Sequence, residues 1–170
     1  MAAAIVMLGV IHRDPEGAAR LGRALAGRAW GLVSVEVSPF ALAWRRQRGP
    51  ELLKRLAANL PAAARAASID PAVAAAHAGP AWLRAYLELP YEWTVASAMA
   101  KARGAPCVAV DFSSASRRLL ADADELVSVG NLAKLLAAPA PAGAGLERRR
   151  AADLIAGRGG WPRPSAPEPV

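Results

Sequence analysis

Four side chains of the types that bind metal ions or transfer protons follow predicted strands or begin a predicted helix. They are His12, Glu36, Glu92 and Asp111. An imidazole and carboxylates in one crevice can hold a divalent cation, and they can also accept and release protons near neutral pH. We therefore interpret these four residues as candidates for a single site, which the elements of the fold would have to bring together.

Three apolar runs have the length and composition of buried strands, and a candidate residue stands near the carboxyl end of each. The runs cover residues 4–8, 30–37 and 106–111. His12 follows the first run as the last residue of a Gly-x-x-His motif, Glu36 lies near the end of the second, and Asp111 ends the third. Because parallel strands leave a sheet with their carboxyl ends along one edge, these side chains are expected to line one crevice.

A helix is predicted between the first two apolar runs. Asp14 is a good N-cap, Pro15 suits the first helical position, and Gly27 is placed to end the helix. Strand, helix and strand within so short a stretch make a βαβ unit. Such a unit requires a parallel pair of strands and a right-handed crossover.

The stretch between the second and third runs is helical in composition and is divided by prolines. Its predicted helices cover residues 39–49, 51–66, 71–77, 80–88 and 90–103. Glu92 then falls in the first turn of the last helix, where the helix dipole favours a carboxylate. The predicted fold is α/β, with a small parallel-containing sheet built from a βαβ unit and a helix-rich insertion between the second and third strands.

The length of 170 residues fits a single α/β domain, which is predicted to cover residues 1–158. Residues 138–145 form a linker rich in Pro, Ala and Gly, and residues 146–157 are predicted to be helical. Residues 125–130 fit either a short strand or the start of a helix. The proline-rich residues 159–170 are predicted to be disordered.

Each candidate residue also has a purely structural interpretation. His12 could hydrogen-bond a neighbouring backbone group, and Glu36 could form a salt bridge with an arginine such as Arg45. Asp111 could cap the following turn, and Glu92 could simply be a favourable first-turn acid. Their expected convergence in one crevice is what favours a functional interpretation.

The net charge of +7 is compatible with attraction to phosphates, but the strongest basic cluster, residues 45–48, has only Trp44 as a stacking neighbour. A nucleic-acid partner is therefore disfavoured, and a steep loss of binding with rising salt would reveal one. The single Cys107 cannot form an internal disulfide, and no segment has the roughly 20 apolar residues of a membrane span. Since the start of the chain lacks a signal-peptide pattern, a cytoplasmic location is expected.

Several motifs taken together resemble a known protein family. The Gly-x-x-His motif ending at His12, the strand that carries Glu36, and the helix of Glu92 that leads through Gly104-Ala105-Pro106 to a strand are similar to the TraB/pheromone-shutdown group. That group belongs with GumN-like, Tiki and ChaN/erythromycin-esterase-like proteins in one superfamily. The similarity spans about residues 4–120.

The resemblance implies an α/β fold and, by analogy with the Tiki members, a metal-dependent hydrolytic site. His12 would be a metal ligand or catalytic imidazole, Glu36 a ligand or general base, and Glu92 a further ligand or acid. Asp111, from the same sheet edge, joins them as a predicted metal ligand. The family's second Gly-x-x-His has no counterpart, because Ala133 stands where the nearest matching spacing requires histidine. Such a site would bind metal weakly, use oxygen ligands and a harder cation such as Mg²⁺ or Mn²⁺, or have lost catalysis.

Two hypotheses follow from the sequence. In the first, the protein is a metal-dependent hydrolase of peptidase or esterase type that acts on a small molecule or peptide; the cation lowers the pKa of a bound water and Glu36 takes its proton. In the second, it is a non-catalytic ligand-binding or interaction and signalling domain of the same fold. An alanine-rich helical surface is compatible with formation of a homo-oligomer under either hypothesis.

Overall fold

The structure is a computed structural model, and it describes residues 5–27, 29–139, 146, 149–150 and 152–153. The described part is mostly helical and contains one sheet of two parallel strands. The strands are β1 (Val33–Val35) and β2 (Cys107–Ala109). The helices are α1 (Gly17–Ala26), α2 (Pro39–Ala66), α3 (Pro71–Ala76), α4 (Ala78–Leu87), α5 (Tyr91–Ala102), α6 (Ser113–Leu120), α7 (Ala123–Leu126) and α8 (Val129–Ala137).

The two strands come from the second and third apolar runs of the sequence and pair directly with each other. Val33 lies opposite Cys107, and Val35 lies opposite Ala109. Backbone hydrogen bonds continue beyond the strands, where the Asp111 amide donates to the carbonyl of Val37 over 3.3 Å. The segments that follow the two strands therefore leave the sheet at the same end, where Glu36 and Asp111 lie.

The predicted first strand is wrong for the residues that the structure describes. Residues 5–8 have no regular secondary structure, and the side chains of Ile5 and Met7 are 93% and 92% exposed. The βαβ unit that this strand would have formed with α1 and residues 30–37 is therefore not observed, and Ala4 lies outside the described residues. An apolar run does not by itself make a strand, because a strand also needs a neighbouring edge with which to exchange backbone hydrogen bonds.

Helix α1 begins two residues later than the sequence predicts. Asp14 is not its N-cap; instead a side-chain oxygen of Asp14 accepts a hydrogen bond from the Glu16 amide over 3.0 Å, and the helix starts at Gly17. Residues 12–16 therefore form a turn rather than a helical entry. This turn presents His12 and Arg13 beside the start of α5.

Helix α2 is longer than the sequence predicts. Ser38 caps it and Pro39 occupies its first turn as expected, but the helix continues for 28 residues through Pro50 and Pro61. The expected break at Gly49-Pro50 is absent because tertiary packing holds the helix there: a Cβ on Gly49 would lie 2.7 Å from the Leu87 carbonyl oxygen of α4. Packing can outweigh the cost of a proline inside a helix, which is about 3 kcal/mol.

Two groups of buried apolar side chains hold these elements together. One joins α2, α3, α4 and α8 around Leu52, Leu56, Leu87 and Leu132. The other joins α1, α5 and the start of α2 to the sheet and includes Leu21, Leu25, Val35, Val37, Leu42 and Ala96. The short connection from α4 to α5 links the helices of the two groups, and it brings the start of α5 beside the carboxyl end of the sheet.

The remaining predictions fall partly outside the structure. Residues 125–130, left open by the sequence, contain the end of α7, a turn and the start of α8, and no strand. The predicted linker beyond Pro139, most of the predicted helix 146–157 and the tail 159–170 lie outside the described residues. None of the described helices is both long and apolar enough to cross a membrane.

Candidate functional site

One cleft of about 410 Å³ is lined by all four residues that the sequence singled out. His12 comes from the turn before α1, Glu36 from the segment after β1, Glu92 from the first turn of α5 and Asp111 from the segment after β2. A volume of this size is typical of a site for a small molecule. The structure thus brings the four residues to one cleft, but only His12 and Glu92 contact each other directly.

His12 and Glu92 form a direct pair. His12 Nδ1 and Glu92 Oε1 are 2.6 Å apart; the Glu92 side chain is 8% exposed, whereas that of His12 is 67% exposed. A carboxylate oxygen can only accept, so Nδ1 donates its proton to Glu92 and the lone pair of the neutral ring is on Nε2. The hydrogen bond to Glu92 raises the pKa of His12 above 6.5, with a further contribution from the negative charges of Glu92 and Glu36.

The turn that carries His12 is held by a second contact from α5. The Tyr91 hydroxyl donates to the Ile11 carbonyl oxygen over 2.9 Å. Burial, together with the charges of Glu92 and Asp14, raises the pKa of Tyr91 to about 12, so the phenol keeps its proton and remains a donor. Successive residues at the start of α5 therefore fix the backbone and the side chain of the His12 turn.

A glycine of α1 makes room for this tyrosine. A Cβ on Gly17 would lie 2.5 Å from the Tyr91 hydroxyl oxygen and closer still to the ring. Sequence reasoning missed both residues, although a glycine inside a predicted helix is a signal that another element approaches closely.

Glu36 and Asp111 line the same cleft without joining the His12–Glu92 pair. Both residues are exposed. An oxygen of Asp111 accepts a hydrogen bond from the Phe112 amide over 2.6 Å, which agrees with its interpretation as a residue that shapes the following turn. Glu36 forms no hydrogen bond or ion pair with any residue that the structure describes, so the salt bridge to Arg45 considered from the sequence is not formed.

The predicted metal site is not supported by this arrangement. Among the described residues, no group of three or more His, Cys, Asp or Glu side chains is placed to hold a metal ion. Metal ligands must approach a common point at about 2.0–2.6 Å, which is a far stricter condition than lining one cleft. His12 Nδ1 is moreover already engaged by Glu92. Binding of Mg²⁺ or Mn²⁺ by these four residues stays a prediction of the sequence.

Two arginines that sequence reasoning did not assign to the site also line the cleft. Arg13 follows His12 directly, and Arg45 lies in the second turn of α2. Their guanidinium groups lie near the ring of Tyr86, each with its central carbon 5.5 Å from the ring centroid. The position of Arg45 could have been inferred, because the first turns of a helix that follows a strand face the carboxyl end of the sheet.

The serines near the cleft form hydrogen bonds that stabilise the fold. Ser38 is buried, accepts a hydrogen bond from the Ala41 amide over 2.9 Å as the cap of α2, and donates to Ser116 Oγ over 2.8 Å. Ser113 Oγ accepts from the Phe40 amide. These bonds join the start of α2 to α6 beside the cleft, and no serine of this group is hydrogen-bonded to a histidine that could activate it.

Comparison of the chain with protein-family models, with curated proteins and with solved structures found no match. The resemblance to the TraB and Tiki group accordingly stays a prediction from short sequence motifs. The function must be inferred from the cleft itself, since a fold alone does not specify an activity.

Proposed function

We propose that this cleft is a hydrolytic active site in which His12 is the general base and Glu92 positions its imidazole. The observation that carries the proposal is the 2.6 Å contact between an exposed imidazole and a nearly buried carboxylate. A buried carboxylate is costly without a partner, and here the imidazole is that partner. An imidazole fixed through Nδ1 by a carboxylate is an arrangement that hydrolases use to present Nε2 to a reacting proton.

The reaction would use one proton transfer in each direction. Neutral His12 takes a proton from a water molecule at Nε2 while the water oxygen bonds to the carbonyl carbon of an ester or amide. The resulting imidazolium then gives the proton to the departing oxygen or nitrogen, and the bond to that atom breaks. Glu92 stabilises the imidazolium between the two steps and keeps the ring in the tautomer that has its lone pair on Nε2.

A divalent cation would supply Lewis-acid activation of the water if one were bound, as the family resemblance implies. The described residues do not provide the three or more ligands that would hold it, so no step of this proposal depends on a metal. Glu36 and Asp111 are then side chains of the cleft wall that contact the substrate rather than ligands.

The experiment compares two histidine variants on p-nitrophenyl esters and p-nitroanilides of short acids, including half-esters and half-amides of dicarboxylic acids. His12→Gln should lower kcat/KM by about 10² to 10⁴-fold, the usual contribution of a general base. His77→Gln is the matched control: His77 accepts a hydrogen bond from the Gly79 amide at the start of α4, and it does not line the cleft. It should leave kcat/KM unchanged.

Two results would contradict the proposal. If the wild-type protein hydrolysed none of the esters or anilides, the non-catalytic ligand-binding alternative would be favoured. If His12→Gln and the wild type were equally active, the hydrolysis would not depend on this cleft.

A further inference from the structure

The cleft contains two cationic side chains, Arg13 and Arg45, that interact with the negative charge of Glu92 without forming an ion pair with it. Neither Arg13 nor Arg45 forms an ion pair with a residue in the described part of the chain. Other arginines of the protein are used differently, since Arg48 and Arg55 both bind Asp124. Arg13 and Arg45 therefore do not stabilise the fold through ion pairs.

Arg13 is held in an unusual position. Its φ angle is +62°, in the left-handed region that costs a residue with a side chain roughly 1 kcal/mol or more. Its guanidinium lies over the Trp82 ring, 4.1 Å from the centroid. This is a cation–π contact, and none of the guanidinium N–H groups donates a hydrogen bond to a described residue. Backbone strain that places a charged group in a cleft is commonly a feature of a functional site.

Arg45 reaches the same place from α2. Its Nε donates to the Tyr86 carbonyl over 3.0 Å and Nη1 donates to the Ala41 carbonyl over 3.4 Å, which fixes the group while Nη2 has no partner among the described residues. Partial burial lowers the pKa of both arginines, and the positive charge of Arg13 contributes to the lowering at Arg45. Both guanidinium groups line the same cleft near the Tyr86 ring, and an anion that contacts both would reduce the repulsion between their charges.

We propose that Arg13 and Arg45 form an anion-binding subsite beside His12 that takes a carboxylate group of a small molecule. Planar guanidinium groups match carboxylate oxygens through paired hydrogen bonds. The cleft is also lined by the acidic residues Asp14, Glu36, Glu88, Glu92 and Asp111, whose negative charge disfavours a doubly charged anion such as a phosphate monoester. A singly charged carboxylate is repelled less by these acidic groups and can still bind the two guanidinium groups through paired hydrogen bonds.

The subsite also specifies a substrate class, an inference that rests on the proposed function. Arg13 and His12 are adjacent in the chain, so a carboxylate held by Arg13 brings the rest of its molecule beside the imidazole. The substrate of the proposed hydrolase is accordingly an ester or amide that carries a second, free carboxylate group.

The test measures binding and does not depend on turnover. NMR titration of the full chain with benzoate, with its neutral isostere benzamide, and with inorganic phosphate compares the three chemistries. We expect benzoate to bind at least tenfold more tightly than benzamide, and more tightly than phosphate. Arg13→Gly and Arg45→Gln should each weaken benzoate binding about tenfold or more. Arg13→Gly suits the left-handed backbone and therefore tests the guanidinium without disturbing the turn.

The matched control is Arg46→Gln, which removes the same charge from an exposed neighbouring position of α2 outside the cleft. It should leave benzoate binding unchanged. The proposal is overturned if benzoate binds no more tightly than benzamide, or if all three arginine variants weaken it equally. Tighter binding of phosphate would overturn the choice of carboxylate.

Failure of the two proposals can be told apart. Arginine-dependent benzoate binding without any ester hydrolysis would support the anion-binding subsite and contradict the catalytic role of His12. Hydrolysis that depends on His12 but not on Arg13 or Arg45 would contradict the subsite and support the catalytic role of His12.

Discussion

At the scale of single residues, the decisive feature is that Glu92 contacts Nδ1 of His12 and leaves Nε2 without a partner among the described residues. The sequence identified both residues because strand ends, proline positions and helix starts can be inferred from apolar runs and capping patterns. It could not predict that His12 would pair with Glu92 rather than with Glu36 or Asp111. That choice depends on the position of α5 to within about an ångström, which residue periodicity does not specify. For the same reason, the left-handed backbone at Arg13 had no signal in the sequence.

The pairing predicts how His12 titrates. The hydrogen bond to Glu92 raises the pKa of His12, so NMR titration of its imidazole should give a midpoint above 6.5, and Glu92→Gln should lower that midpoint. The raised pKa also means that the pair stabilises the folded protein below about pH 6.5 and that this contribution is lost as the pH rises through the folded-state pKa. His12→Gln should therefore cost more stability at pH 6 than at pH 9. A midpoint unchanged in Glu92→Gln would show that the contact does not form in solution.

At the scale of elements, the cleft depends on how closely α1 approaches α5. Gly17 lets the Tyr91 ring enter, and the Tyr91 hydroxyl then holds the Ile11 carbonyl and with it the turn of His12. The sequence predicted most helices to within a few residues, because caps and prolines are local signals. It failed where packing overrides local signals, as at Pro50 inside α2, and where an apolar run lacks a partner strand, as at residues 5–8.

Substitution of glycines in α1 tests this packing. Gly17→Ala would force the Tyr91 ring out of its place, so we expect the free energy of unfolding to fall by about 1–3 kcal/mol. Gly22→Ala is the control in the same helix, because a Cβ there would meet its nearest neighbour, Val95, at an ordinary distance of 4.0 Å. It should leave stability unchanged or raise it by up to about 1 kcal/mol. Urea unfolding of both variants measures the difference, and equal stability of the two would refute the close approach.

At the scale of the whole molecule, apolar side chains around the sheet and before α1 remain exposed. They include Ile5, Met7, Leu32, Val108, Val110 and Phe112. The two strands pair only with each other among the described residues, so their outer edges carry unpaired backbone groups. Exposed strand edges and apolar side chains are typical of surfaces that another chain covers. The homo-oligomer considered from the sequence would place its contact here rather than on the alanine-rich helices.

Sedimentation measurements over a range of protein concentrations test this surface. We expect the wild-type protein to self-associate. Replacement of both Ile5 and Met7 by serine should weaken the association about tenfold or more, since each of these side chains would bury apolar area in the contact. Val73→Ser is the control, because Val73 is also exposed but lies on α3. A wild-type protein that stays monomeric at high concentration would contradict the prediction.

The role of His12 as general base is tested most directly by comparing the titration of its imidazole with the pH dependence of the reaction rate. The pH dependence of kcat/KM for ester hydrolysis should rise to a plateau with a midpoint equal to the pKa of His12 measured by NMR, because only the neutral imidazole accepts a proton. In Glu92→Gln both midpoints should move downward together. A rate midpoint that differs from the His12 pKa, or that stays fixed while the His12 pKa moves, would contradict the assignment of His12 as the general base.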